Sequence, residues 1–173
     1  SVAAAGNYGD ASQVSHSERY ERAEEFVQAV RGLWDSWGDD TVLDDREAGR
    51  YAAADEIRSV DFVGQYYSVK GPLNLPRCPQ GLPVLVQAGS SDTGRGFAAR
   101  HAEAVFTAHL EKVTAKSFYD DLKARVEAEG RKREHALILP GFSPVIAATE
   151  TEAQQYARHL NELADPEVGR KRL

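Results

Sequence analysis

The chain has 173 residues, enough for one domain with a real hydrophobic core. Its 27 acidic residues outweigh 21 Lys and Arg, giving a formal net charge of −6 with no basic stripe, which argues against a nucleic-acid partner. Cys78 is the only cysteine, so no internal disulfide exists, a reducing cytoplasmic compartment is expected, and no apolar run is long enough for a membrane span.

The N-terminus lacks the basic residues and long apolar core of a signal peptide, and the chain contains no Met. It reads as a piece of something longer. Residues 1–14 read as loop. A helix is expected over 16–37, opened by Ser15 and Glu18 at capping-box spacing. Ala23, Phe26, Val27, Val30, Leu33, Trp34 and Trp37 make its apolar stripe, and Gly38 is its expected stop. Residues 38–50 are acidic and polar and read as loop, ending in a short helix near Tyr51. Val60 to Val69 reads as a hairpin turning at Gly64-Gln65. Residues 71–83 hold four of the seven prolines and form an extended connector.

From Pro83 the pattern becomes alternating. Strand 83–87 is continuously apolar, as in a strand buried on both faces. Helix 92–101, strand 103–107, helix 114–129 and strand 136–140 follow. Val145-Ile146 extends the β region. Helix 150–163 opens on a Thr149/Glu152 capping box. This βαβαβα order implies parallel strands joined by right-handed crossovers. Three such strands do not close an eight-stranded barrel, which needs about 250 residues. The fold is therefore either a small open sheet or the middle of a barrel. The expected class is α/β within a single domain spanning 1–173.

The turn after Val86-Gln87 carries the chemistry. Gly89 allows close backbone approach, Ser90 and Ser91 offer hydroxyls, and the following helix start offers free N–H groups. A phosphate site and a plain N-cap at Ser91 or Asp92 are both open readings. Gly94-Arg95-Gly96-Phe97-Ala98-Ala99 fits a dinucleotide pattern, but its glycines fall inside the helix rather than in the turn. Close helix–sheet packing explains Gly96 and the alanines better. His16 and Tyr20 lie one turn apart on one helix face and could hold a polar ligand or serve structure alone. Glu24-Glu25 and Glu47 read as solvated face residues. The other histidines show no metal-ligand spacing, so no metal is expected.

Asn7-Tyr8-Gly9, His16-x-x-Arg19-Tyr20-x-x-Ala23-x-Glu25-Phe26 and Arg31-Gly32-Leu33-Trp34-Asp35-Ser36-Trp37 carry a resemblance, as do Val60-Asp61-Phe62-Val63-Gly64, Gly71-Pro72-Leu73-Asn74, Pro83 to Ala108 and Leu139-Pro140-Gly141. Taken in order, they make the chain similar to the bacterial luciferase-like flavin-dependent monooxygenases, in the nitrilotriacetate monooxygenase component A branch. The resemblance implies a barrel more than twice this long, with this chain running from the end of its fourth strand to its seventh helix. The chain would then be a partial (β/α)8 barrel of about strands 5–7 with flanking helices and an inserted hairpin and Pro-rich segment at 60–82. It implies reduced FMN as cofactor, a separate flavin reductase as supplier, and O2 and a small organic molecule as substrates. It implies that His16 and Tyr20 contact the flavin, and that Ser90 and Ser91, beside Gly89, bind its phosphate. Two other readings stand beside it. A truncated barrel could be a non-catalytic assembly module, burying open sheet edges against another copy of itself. A deazaflavin-dependent oxidoreductase would share the barrel without using O2.

Overall fold

The structure is a computed structural model, and it describes residues 6–8 and 14–172. Asn7-Tyr8 lies in a short 3-10 turn, Gly6–Tyr8, while Gly9 of the same motif falls outside the described residues. By its contacts the chain divides into two compact units, Ser1–Pro140 and Gly141–Leu173.

The first unit begins with α1, His16–Trp34. Ser15 caps it, its Oγ accepting the Glu18 amide at 3.2 Å. The helix stops three residues before the expected Trp37. Asp35 is the C-cap, and the Ser36 hydroxyl donates to the Leu33 carbonyl at 2.6 Å. Released from the helix, Trp37 is buried and its indole N–H donates to the Leu73 carbonyl at 2.7 Å. The side chain that looked like the end of an amphipathic stripe instead anchors the Pro-rich connector.

Residues 42–52 correct the expectation of a loop and a helix near Tyr51. Strands β1, Val42–Asp45, and β2, Arg50–Ala52, pair antiparallel. Asp45 Oδ1 accepts the Ala48 amide at 2.9 Å within the connecting turn. The pair is mostly exposed and so lacks the apolar alternation that announces a strand. The expected hairpin is present: β3, Phe62–Val63, pairs antiparallel with β4, Ser68–Val69. Its turn is longer than Gly64-Gln65, since the Gly64 amide bonds to the Tyr67 carbonyl at 2.8 Å.

Strands β5, Val86–Gln87, β6, Ala104–Thr107, and β7, Leu137–Pro140, form a parallel sheet in that order. Helices α2, Asp92–His101, and α3, Lys112–Ala128, make the crossovers. β5 is shorter than expected. The Leu85 amide donates to the Glu103 carboxylate at 3.0 Å instead of joining the ladder, and Pro83 has no N–H to give. Ala98, Ala99 and Ala102 of the α2 segment and Phe118, Leu122 and Val126 of α3 pack with Val105 and Ile138. The small side chains on α2 let that helix pack closely against α3. Gly96 is not part of this contact: a Cβ there would meet only the Arg100 guanidinium, at 3.8 Å.

Only one face of the sheet is covered. Val86, Phe106, Leu137 and Leu139 lie on the other and are exposed, Val86 at 64 %. The continuous apolar run at 83–87 predicts burial on both sides, but among the described residues nothing covers this second face.

In the second unit, α4, Glu150–Glu162, opens on the expected capping box, with Thr149 and Glu152 each capping the other's backbone. A further helix, α5, Pro166–Arg172, follows. Val145 and Ile146 belong to no strand. Among the described residues no helix is long and apolar enough to cross a membrane.

Candidate functional site

β5 ends in a turn that the sequence shapes closely. Gln87 Oε1 accepts the Gly89 amide at 2.8 Å, folding the chain back at the strand's carboxyl end. Ser91 then caps α2, its Oγ accepting the Gly94 amide at 3.1 Å. The first turn of α1 lies against this turn. His16 Nε2 is 3.4 Å from Ser91 Oγ, and the His16 and Tyr20 rings are 5.0 Å apart. The Tyr20 hydroxyl occupies the space that a side chain at Gly89 or Gly94 would need, 2.6 Å from a Cβ built at either. Four of the five expected residues, His16, Tyr20, Gly89 and Ser91, are thus brought together from positions about 70 residues apart. Ser90 sits exposed in the turn between Gly89 and Ser91.

The gathered groups are hydroxyls, an imidazole and the starts of two helices. The first N–H groups of each helix lack intrahelical partners, and each helix start carries about half a positive charge. The one acid inside the α2 first turn is neutralised. Asp92 Oδ1 accepts from Arg125 at 2.6 Å and lies 3.5 Å from Arg95. The hydrogen bond from Arg125, followed by that cation's charge, holds the Asp92 carboxyl below the usual range. Glu18 on α1 pairs with Arg22 at 3.0 Å. The field at the turn therefore favours an anion.

Glu24 and Glu25 are not solvated face residues. Glu24 binds Arg100 and His101 of α2. Glu25 holds the hairpin turn, its carboxylate accepting the amides of Gln65 at 3.0 Å, Tyr66 at 2.8 Å and Tyr67 at 2.6 Å. A Cβ at Gly64 would displace the Glu25 carboxylate from these bonds. Tyr66 also donates its hydroxyl to Glu21 at 3.0 Å. A groove of about 840 Å³ runs between α1 and this hairpin, lined by Tyr20, Glu21, Tyr66, Thr93 and Arg100 among others. It shares Tyr20 with the turn. Glu25→Ala is expected to free the hairpin without unfolding the unit. Hydrogen bonds to a charged acceptor contribute about 1.5–3 kcal/mol. Amide exchange at Gln65, Tyr66 and Tyr67 should therefore accelerate about tenfold or more, and unchanged protection would show that the latch is not made.

A second cavity, of about 310 Å³, is lined by Arg31, Trp34, Leu85, Glu103, Arg131 and His135. It lies at the amino ends of β5 and β6. Ligands of parallel α/β folds bind at the carboxyl ends, where His16, Tyr20 and Ser91 converge.

The family model for luciferase-like monooxygenases matches residues 2–172. This chain belongs to the luciferase-like monooxygenase family. It is 45 % identical over 168 residues to nitrilotriacetate monooxygenase component A of Aminobacter aminovorans, covering 97 % of this chain and 37 % of that protein. It is 42 % identical over 163 residues to N-acetyl-S-(2-succino)cysteine monooxygenase of Bacillus subtilis, covering 94 % and 37 %. A crystal structure of riboflavin lyase with modified FMN and riboflavin superposes with a TM-score of 0.88 at 35 % identity, covering 95 % of this chain and 37 % of the other. The chain thus spans little more than a third of the length of these relatives. Its parallel sheet, with α2 and α3 on one face, is a portion of the luciferase-like barrel, and the expected α/β partial-barrel class holds.

Within this luciferase-like segment, sequence reading missed Gln87 and Gly94 as builders of the turn, Phe97 as the ring packed on Tyr20, and Glu24 as the partner of Arg100 and His101. Gly94 had a visible signal, a glycine just inside the helix start with no role assigned to it. Gln87 had one too, as the single polar residue closing an apolar strand.

Proposed function

We propose that this chain forms the phosphate-binding part of a reduced-FMN site in a two-component monooxygenase, which uses O2 to oxygenate a small organic substrate and receives reduced flavin from a separate reductase. The observation that carries this reading is the convergence of two helix starts with His16, Tyr20, Gly89 and Ser91 at the carboxyl end of β5. The residues present fit a phosphate. The donors are uncharged hydroxyls and amides with an imidazole, and the two glycines let Tyr20 and the turn backbone close on one another. Bound FMN supplies the redox chemistry that side chains lack. In this reading the turn amides and Ser90 and Ser91 hydroxyls bind phosphate oxygens, His16 donates a further hydrogen bond, and Tyr20 orients the flavin side of the site.

The test is an anaerobic titration of the chain with reduced FMN and with reduced riboflavin, followed by flavin fluorescence. A hydrogen bond to a charged group contributes about 1.5–3 kcal/mol, and about 1.4 kcal/mol is tenfold in affinity. FMN should therefore bind at least about tenfold more tightly than riboflavin. Equal affinities would overturn the phosphate assignment. A preference for a reduced deazaflavin over reduced FMN would favour the hydride-transfer reading instead.

A further inference from the structure

His16, Tyr20 and Glu24 recur at every fourth position of α1 and so share one face. α2 answers with Phe97, Arg100 and His101. The rings form a continuous column across the two helices. His16 to Tyr20 is 5.0 Å between centroids, Tyr20 to Phe97 is 5.7 Å, and Phe97 to His101 is 5.0 Å. Glu24 closes the far end of the column. Its Oε1 lies 2.5 Å from His101 Nε2, and its Oε2 accepts from Arg100 Nε at 3.2 Å and Nη2 at 3.0 Å. An ionised carboxylate only accepts hydrogen bonds, so His101 Nε2 carries the proton. His101 Nδ1 is buried without a partner, which leaves Glu24 as the only hydrogen-bonding anchor of that ring among the described residues.

Apolar burial does little to lock this seam. Of the nineteen residues of α1, only Ala29 is fully buried. The placement of α1 on α2 therefore depends on the ring column and on the polar grip at its end. Arg31 adds one hydrogen bond further along, to the His101 carbonyl at 3.2 Å. Burial alone would raise the Glu24 carboxyl, but the hydrogen bonds from Arg100 and His101 outweigh it and hold it below the usual value, as expected for a carboxylate in a working ion pair. Glu24 stands eight residues, or about 12 Å of helix, from His16. It lines the groove that shares Tyr20 with the turn, but it is out of hydrogen-bond reach of a phosphate held by His16 and Ser91.

We infer that Glu24 is a positioning residue for the phosphate site. By gripping Arg100 and His101 it fixes the α1–α2 seam, and through the ring column it keeps His16 and Tyr20 seated against Ser91, Gly89 and Gly94. The inference rests on the reading of that turn as a flavin-phosphate site.

The experiment is the same anaerobic titration on the full chain carrying Glu24→Ala or Glu24→Gln, with reduced FMN and reduced riboflavin measured side by side. Glu24→Ala should raise the Kd for FMN about tenfold and, because Tyr20 also orients the flavin, that for riboflavin by less, about two- to threefold. Glu24→Gln keeps the shape and one acceptor oxygen, and should recover most of the FMN affinity. An equal loss for both flavins, or no change in either, would overturn the positioning role. If Glu24→Ala does not fold, Glu24→Gln decides alone. A rise of about threefold for FMN, with riboflavin moved less, supports the role, and an unchanged FMN to riboflavin ratio ends it. Wild-type chain that binds both flavins equally would remove the phosphate reading beneath it before any variant is compared.

Discussion

Replacing Ser90 and Ser91 together by alanine is expected to weaken reduced-FMN binding about a hundredfold or more. Each hydroxyl lost from a charged phosphate costs about 1.5–3 kcal/mol. The two positions are adjacent, so their effects will not simply add. Ser91 also has a second role that must be separated from the first. Its Oγ accepts the Gly94 amide at 3.1 Å and starts α2, and loss of such a cap costs about 1 kcal/mol of stability. Ser91→Asp makes the separation. Aspartate is as good a cap, so the fold should hold, but its negative charge beside the turn opposes an anion. The chain should then melt as the wild type does and bind riboflavin normally while losing FMN. Unchanged FMN affinity in the double alanine variant would remove the turn from the cofactor site.

Leu122→Ala is expected to be the most destabilising single truncation in the first unit, costing about 2–5 kcal/mol. Leu122 is completely buried, at 0 % exposure, and it is the largest of the fully buried side chains among the described residues. It belongs to one buried cluster with Ala98, Ala99, Ala102, Val105, Phe118, Val126 and Ala136. Apart from Phe118 these are small or branched side chains, which cannot fill the space a leucine leaves. The measurement is urea unfolding followed by circular dichroism, in which the midpoint should fall with little change in slope. A loss below about 1 kcal/mol would mean that the α2–α3 layer repacks freely, contrary to the close alanine contacts.

Local chemistry made much of this fold legible. α2 starts where Ser91 and Asp92 predict, and α4 starts where Thr149 and Glu152 predict, because a cap is decided within four residues. β6 and β7 follow their apolar runs. The errors fall where distant residues decide. Trp37 leaves its helix for a carbonyl at Leu73, 36 positions away. Glu25 looks solvated until Gln65, Tyr66 and Tyr67 fold onto it from 40 or more positions further on. β1 and β2 pair through a mostly exposed, polar stretch that carries no periodic signal. The site divides in the same way. Gly89, Ser90 and Ser91 announce an anion turn by themselves, and His16 and Tyr20 announce only a shared helix face. Nothing in either segment's spacing says that they meet, and family resemblance supplied that link. The 3.4 Å approach of His16 to Ser91 is a property of the folded chain.

The C-terminal end of α2 is finished by a residue made much later. Arg131 donates to the Ala99 carbonyl at 2.8 Å and the Ala102 carbonyl at 2.9 Å, and to the His135 carbonyl at 2.9 Å. One planar guanidinium thus ties the last turn of α2 to the segment that leads into β7. During synthesis from the N-terminus, α2 emerges about thirty residues before the side chain that completes it. β5 and α2 are therefore made before the contact that joins the end of α2 to the segment leading into β7. The smallest stretch that can close this corner runs from β5 through His135, and a ribosome stalled short of Arg131 would hold a helix with an open end.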